Sequence, residues 1–408
     1  MGKILLIAYA CEPGKGSEPA VGWNWVMEIA KNFETWIITR KSNRKAIEEY
    51  FYKGFPSNLH FEYVDLPRSF LFWKKGEMSI RLYYLIWQVL AFFKGLKLHR
   101  KEKFDIVHHL TFLVDWLPPL AAFLPVNFVW GPVGGTSRKL LIPFFKEFGV
   151  KNSLYEILRY FYLKLFVPLN PLIILAKKRA RFILKSIPDE NPNPKTRIIP
   201  AIGISPEEIP NCERKFEKFT VFITGRMTHW KGFFLAIKAF HIFASRHKNT
   251  QMLIGGKGKE YSKLKKMVKN LGLQDRIKFI GYLPSREQVL KLMGSSHVFM
   301  LPTLRDAPLV SFLEAMACGV PVLCVDIPAQ RTVVCDDCGI RVPMGPPKDV
   351  INNLANALEI LYLNQELRDT MGKKARERAL KEFSWAKKGE FIKELYTEIL
   401  RNENPYSS

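Results

Sequence analysis

Strand and helix patterns alternate along the whole chain and predict an α/β protein made of two parallel-sheet units. Three observations carry this. The chain opens on KILLIAYA, Lys3 to Ala10, a continuous apolar run that suits a strand buried on both faces. The stretch 206–218 is charged, holds two prolines and lacks periodicity, which marks an inter-domain linker. At Phe219 a second buried strand, FTVFITG, begins a series that repeats the grammar of the first without its sequence. With 408 residues and 48% apolar content, the chain has enough material for two full-sized cores. The expected boundaries are 1–205 for the first domain, 206–218 for the linker and 219–385 for the second. A last helix, about 386–408, is expected to pack back on the first domain.

The first strand is followed by a glycine-containing loop, Cys11 to Glu18, and a helical pattern from Trp23 to Phe33. A strand, a glycine loop and a helix often cradle a phosphate, although a turn of this kind also uses glycine for geometry alone. Gly16 and Ser17 are the candidates there. Strands follow at Thr35–Thr39, Leu59–Val64 and Phe104–His109. On the last of these, FDIVHH, His108 and His109 point to opposite faces, so at most one enters a cleft directly. NFVWGPVGG, Asn127 to Gly135, reads as a strand and a glycine-rich turn. Phe182–Leu184 and Ile198–Ile202 are shorter strands. The most apolar stretch, Leu82 to Leu98, is broken by Gln88, Lys94 and Lys97. It falls short of the roughly 18 uninterrupted apolar residues of a spanning helix and reads as a core or interfacial helix. No signal peptide is expected before Lys3, since the sequence opens directly into a strand.

In the second series the strand at Phe219 leads to Gly225, Arg226 and, five residues on, Lys231, then to a helix from Phe234 to Phe243. An arginine fork and a lysine point charge near a strand's carboxyl end suit a diphosphate. Strands are expected at Met252–Gly258 and Arg276–Leu283. Another, His297–Leu301, runs through a turn into Asp306 and a helix, Leu309 to Ala317, that carries Glu314. Gly319 stands where a helix C-terminus takes a left-handed residue, and Pro321 prevents continuation. Ligands of open parallel sheets bind at this edge, and a helix N-terminus there suits a phosphate. The two carboxylates would then take hydroxyl groups on either side. Read from the residues alone, Asp306 serves equally as a helix cap with Pro308 in the first turn, and Glu314 as an exposed helix residue. Helices at Val350–Leu363, Gln365–Phe383 and Lys388–Leu400 complete the chain.

Asp306, Glu314, Ala315, Met316, Ala317, Gly319, Pro321 and Val322 together resemble the signature of the retaining GT-B glycosyltransferases of family 4 (glycosyl transferases group 1). HHLT and GPVGG resemble a subgroup of that family. The match is specific from Gly225 to Val322. The resemblance implies two Rossmann-like domains facing across a cleft and the transfer of a sugar from a nucleotide diphosphate sugar with retention of configuration. It implies that Arg226 and Lys231 meet the donor phosphates, that Asp306 touches the sugar, and that His108 or His109 contacts donor or acceptor. The family's commoner spacing has a second histidine where this chain has Leu110, which leaves the choice between the two open. Gly16, Ser17, Gly225, Tyr282, Leu283, Leu309, Val310 and Glu314 become donor-binding candidates, with Glu314 on the ribose and the main chain at Tyr282 and Leu283 on the base. The family's first acid is usually Glu followed by glycines. Asp306, Ala307 and Pro308 depart from that, and Pro308 has no N–H to offer.

A formal net charge of +24 favours an anionic membrane surface, nucleic acid or plain solubility. No zinc-finger, RNA-recognition or helix-turn-helix signature supports nucleic acid as the partner. The expected partners are a UDP- or GDP-linked sugar and a glycan or lipid-linked acceptor, at the inner face of the cell membrane. No cofactor and no metal are expected, since two cations answer the diphosphate and no Asp-x-Asp pair is present. Six cysteines in a chain this long are no disulfide framework. Most read as reduced core residues, and Cys335 and Cys338 lack the further ligands of a zinc site. A sugar-nucleotide epimerase of the same fold is the rival reading, as is a basic binding protein.

Overall fold

The computed structural model describes residues 2–16, 18–67, 77–134, 139–188, 193–210, 216–305 and 310–402. Its contacts divide the chain into two units. One holds Met1–Gly135, Leu165–Ala201 and Trp385–Ser408, and the other Thr136–Lys164 and Ile202–Ser384.

The first unit is built on a seven-stranded sheet: β1 Lys3–Ile7, β2 Glu34–Arg40, β3 Leu59–Val64, β4 Ile106–His109, β5 Asn127–Val133, β6 Ala180–Lys185 and β7 Thr196–Ile198. The strand order is β3-β2-β1-β4-β5-β6-β7 and each strand pairs in parallel. Helices cover both faces of a parallel sheet, so its central strands are the most apolar. Ile4, Leu5 and Leu6 of β1 are fully buried. The order reverses between β1 and β4, and at such a switch point a crevice opens outside the strands' carboxyl ends. The apolar helix expected near Leu82–Leu98 spans Glu77–Glu102. It buries Tyr83, Tyr84 and Trp87, and its Gln88 side chain donates to the Pro118 carbonyl and accepts from the Leu120 N–H. It is a core helix with Leu82 and Phe93 left outside.

The second unit repeats the plan with β8 Phe219–Thr224, β9 Thr250–Gly255, β10 Ile277–Gly281, β11 Val298–Met300, β12 Val322–Asp326 and β13 Gly339–Pro343, in the order β10-β9-β8-β11-β12-β13. All pairings are again parallel, and the switch point lies between β8 and β11. The helix Val310–Ala317 closes in the manner expected of Gly319. The Val320 N–H reaches the Ala315 carbonyl at 2.9 Å and the Gly319 N–H reaches Met316 at 2.9 Å, with Gly319 at φ 69°. Cys335 and Cys338 are joined as a disulfide, which the sequence did not announce, and Cys11, Cys318 and Cys324 are free and buried.

Two segments depart from sequence order. The sequence boundaries put all of 1–205 in the first domain, whereas Thr136–Lys164 belongs to the second unit. The reason is packing: Phe148 lies against His229 and Phe234, and Glu147 pairs with Lys238 at 2.8 Å. The last helix, Trp385–Asn402, belongs to the first unit. Its Tyr396 is fully buried and its hydroxyl meets His108 Nδ1 at 2.6 Å, while His108 Nε2 meets the Gly131 carbonyl at 2.5 Å. A carbonyl only accepts, so Nε2 carries the proton and Nδ1 accepts from tyrosine. Lys388 donates to the Pro200 carbonyl at 2.7 Å and Trp25 to that of Ala201 at 2.9 Å.

Burial lowers the pKa of His108 to about 4, against the pull of the Gly131 carbonyl, and that of His109 to about 3, with His108 adding to the effect. Both are neutral in the folded chain at pH 7, while the unfolded chain takes up these protons from about pH 6.5 downward. Stability is therefore full above pH 6.5 and falls from there toward pH 4, each unit of displacement being worth about 1.4 kcal/mol. The melting temperature should drop over that window, and less steeply in His108→Gln. A slope unchanged in both His108→Gln and His109→Gln would place the acid sensitivity elsewhere.

Candidate functional site

In the second unit the chain leaves β8 at Gly225 and turns through Arg226 to a short 3-10 turn, His229–Lys231. Main-chain bonds fix this path. The Met227 N–H meets the Lys257 carbonyl at 2.9 Å, and the Lys231 N–H meets Thr228 at 3.1 Å. The Trp230 carbonyl accepts from the Leu304 N–H at 2.9 Å and from the Thr303 hydroxyl at 3.4 Å. The turn after β8 is thereby tied to the turn after β11. Gly232 seals the junction at φ 72°, and a Cβ there would stand 1.9 Å from the Pro302 carbonyl oxygen.

Arg226 is exposed, whereas Lys231 is 9% exposed. The Lys231 ammonium lies 4.8 Å from the centre of the Trp230 ring, and no carboxylate among the described residues takes it. Burial first, and the nearby Arg226 second, lower its pKa to about 7. A lysine kept out of water beside a second cation is a place made for an anion.

Three further charged residues, none of them evident in the sequence, stand around this turn. Glu156, fully buried on the helix Val150–Phe161, accepts from His229 Nε2 at 2.7 Å, from Arg159 Nε at 3.1 Å and from Arg305. The Arg305 guanidinium also lies 5.1 Å from the Trp230 ring and 5.8 Å from that of Tyr155. Burial lowers the pKa of His229 to about 4, so it donates as a neutral imidazole.

Glu314 is not an exposed helix residue. It is 8% exposed, and its Oε1 accepts from Arg286 Nε at 2.8 Å, while Arg286 also pairs with Glu208. Burial works against the Arg286 charge, but the two carboxylates outweigh it and raise its pKa. Val310 is half-buried in the first turn of the same helix. Tyr282 is 66% exposed just after β10, Leu283 is half-buried, and the main chain of both enters no backbone hydrogen bond among the described residues. Asp306 and Leu309 lie outside the described residues, as does Ser17.

In the first unit Gly16 is exposed in the loop after β1. At the end of β4 the two histidines are unlike. His108 has both ring nitrogens engaged in holding the last helix. His109 meets the Tyr84 hydroxyl through Nε2 at 2.7 Å, and its Nδ1 lies against the Thr111 main chain, short of a full hydrogen bond.

Residues 206–378 match the family described as Glycosyl transferases group 1. Among curated proteins, the chain is 28% identical over 156 residues to the N-acetyl-alpha-D-glucosaminyl L-malate synthase of Bacillus anthracis, covering 38% of this chain and 39% of that one. It is 27% identical over 197 residues to the D-inositol 3-phosphate glycosyltransferase of Corynebacterium jeikeium, which is 45% of this chain and 44% of that protein. The matched stretches thus span less than half of these relatives. Among solved structures, Anabaena HepE in complex with UDP aligns over 98% of this chain and 100% of its own at 15% identity, with a TM-score of 0.62. Likeness at that identity establishes the fold, which is GT-B: two Rossmann-like domains, as the sequence led one to expect.

The two left-handed glycines give a direct check on the junction. At Gly319 a Cβ would meet nothing nearer than the Gly372 carbonyl at 3.7 Å, so Gly319→Ala should cost only the backbone term of about 1–2 kcal/mol. Gly232→Ala adds the clash with Pro302 and should lower the denaturant midpoint well beyond that. Equal losses in the two variants would show that the turns after β8 and β11 are not locked together there.

Proposed function

We propose that this protein is a glycosyltransferase that moves a sugar from a nucleotide diphosphate sugar to an acceptor with retention of anomeric configuration. The observation that carries the reading is Lys231, a buried cation with no counter-charge among the described residues, beside Arg226 at the switch point of the second sheet. Cleavage of the donor bond leaves negative charge on the diphosphate, and fixed cations in a dry site stabilise such charge strongly. Arg226 and Lys231 neutralise the leaving group. Asp306 binds the sugar hydroxyls near the reacting carbon, and Glu314, oriented by Arg286, takes the ribose. The main-chain groups at Tyr282 and Leu283 take the base. His109 is the histidine we assign to the substrate side, since His108 is committed to Tyr396 and Gly131. The match over 206–378 and the UDP and UDP-glucose held by Anabaena HepE support a nucleotide-sugar donor.

The acceptor side of the proposal is a glycan or lipid-linked acceptor reached from an anionic bilayer surface. No single helix among the described residues is long and apolar enough to cross a membrane. The helix beginning at Val150 is, however, inside out. Its buried positions include Ser153 and Glu156, while Val150, Leu154, Leu158 and Phe161 form a stripe between 49% and 88% exposed. Between residues 149 and 188 the only acid is the buried Glu156, and Lys151, Lys164, Lys178 and Arg179 are exposed. An apolar stripe flanked by cations is the chemistry of a helix lying in an anionic lipid interface.

Bound diphosphate should return Lys231 to its charged form. At pH 8, calorimetry in buffers of different ionisation heat should show UDP binding with uptake of about one proton, and Lys231→Ala should abolish that uptake and lower turnover roughly 10²-fold. Turnover is read as acceptor-dependent release of nucleotide, with the product's configuration determined by NMR. Donor consumption without an acceptor would make the protein an epimerase, and UDP and GDP binding without proton exchange would remove Lys231 from the site.

For the membrane face, the protein should sediment with vesicles of anionic phospholipid at low salt and leave them at high salt. Leu154→Glu with Leu158→Glu should abolish this without changing nucleotide affinity. Equal partition to neutral and anionic vesicles would contradict it.

A further inference from the structure

We propose that Glu156 is a positioning residue for the donor site, and that it sets the turn after β8 and the turn after β11 relative to one another. The inference rests on the reading of Arg226, Lys231 and Asp306 given above. Glu156 acts at one remove from these three. It holds His229, two residues before Lys231, and Arg305, which immediately precedes Asp306. The carboxylate is fully buried, yet three donors satisfy it, so it is held in one place.

Two consequences follow for the chemistry. First, Glu156 Oε1 is a shared acceptor for one side chain from each turn. Displacing either turn breaks a bond in a buried, charged network, so the turns move together or not at all. Catalytic groups misplaced by about 1 Å lose orders of magnitude in rate, which makes such a shared anchor valuable beside a reacting diphosphate. Second, Glu156 neutralises Arg305. Without it, Arg305 would add a third cation around the Trp230 ring and would compete with Arg226 and Lys231 for the donor phosphates. The carboxylate thus fixes which cations the anion meets. Arg159 pairs with the same carboxylate from the same helix and reaches neither turn by that bond, which makes it the natural control.

The test compares Glu156→Gln, the double variant Glu156→Gln with Arg305→Gln, and Arg159→Met. Three readouts are taken on the full chain: melting temperature, calorimetric UDP affinity and turnover. Hydrogen exchange over residues 224–232 and 300–305 is a fourth. Glu156→Gln leaves buried guanidinium groups uncompensated and is expected to melt lower. The double variant removes that excess charge and should recover most of the melting temperature. Its turnover should nevertheless stay at least about tenfold below the parent, and both turns should exchange faster. Arg159→Met leaves both turn contacts of Glu156 Oε1 in place, so its turnover should stay above that of the double variant. Turnover that recovers together with stability in the double variant would overturn the proposal, as would exchange in both turns equal to the parent's. If Glu156→Gln does not fold, the double variant decides alone. The reading of the site fails separately: a parent chain that binds no nucleotide and transfers no sugar overturns that reading, while the exchange measurement still judges the link between the turns.

Discussion

A positive charge held out of water, with no carboxylate partner among the described residues, is the constraint on which the second unit's site depends. Removing an ammonium from water is costly, and a chain that gained nothing from it would let Lys231 reach solvent or give it a carboxylate. Here the turn from Gly225 to Gly232 is closed by main-chain bonds to the segments after β9 and β11, which fixes the backbone that carries Lys231. The backbone that brings Arg226 and Lys231 together is set in folding, and with its pKa near 7 Lys231 completes its charge only when an anion arrives.

The acids nearby follow one rule. Glu156 and Glu314, the described carboxylates beside the candidate site, are each already matched to a cation other than Lys231. Glu156 holds Arg159 and Arg305, and Glu314 holds Arg286, which also holds Glu208. Local charges are therefore sorted rather than pooled. This sorting pairs Arg305 and Arg286 with carboxylates and leaves Lys231 with none among the described residues.

Much of this was legible in the chain. Continuous apolar runs announced β1 and β8, and Gly319 and Pro321 announced the end of the helix bearing Glu314, because these features are local. Gly225, Arg226 and Lys231 became candidates through their place after a strand end together with the family resemblance, and the structure puts Arg226 near the buried Lys231. What stayed hidden was set by contacts distant in sequence. Glu156 reads as one more charge on an amphipathic segment, and only its partners at His229 and Arg305, 73 and 149 residues away, reveal its role. The available signal was the inverted pattern of its helix, with leucines outside and Ser153 and Glu156 within. The assignment of Thr136–Lys164 to the second unit was hidden for the same reason, and the two histidines of β4 could be separated only when Tyr396 came into view.

The return of the last helix to the first sheet has a consequence for how the protein is made. β1 and β4 leave the ribosome early, but Leu395, Tyr396 and Ile399, which complete the core around them, are synthesised long afterwards. Until they arrive, His108 lacks its tyrosine and Trp25 its neighbour Trp385, whose rings meet edge to face at 6.0 Å. The second unit has every named strand of its sheet between residues 219 and 343, but its helices Pro347–Leu363 and Gln365–Glu382 follow them. The nascent first unit thus spends most of translation with an open apolar flank for chaperones to cover.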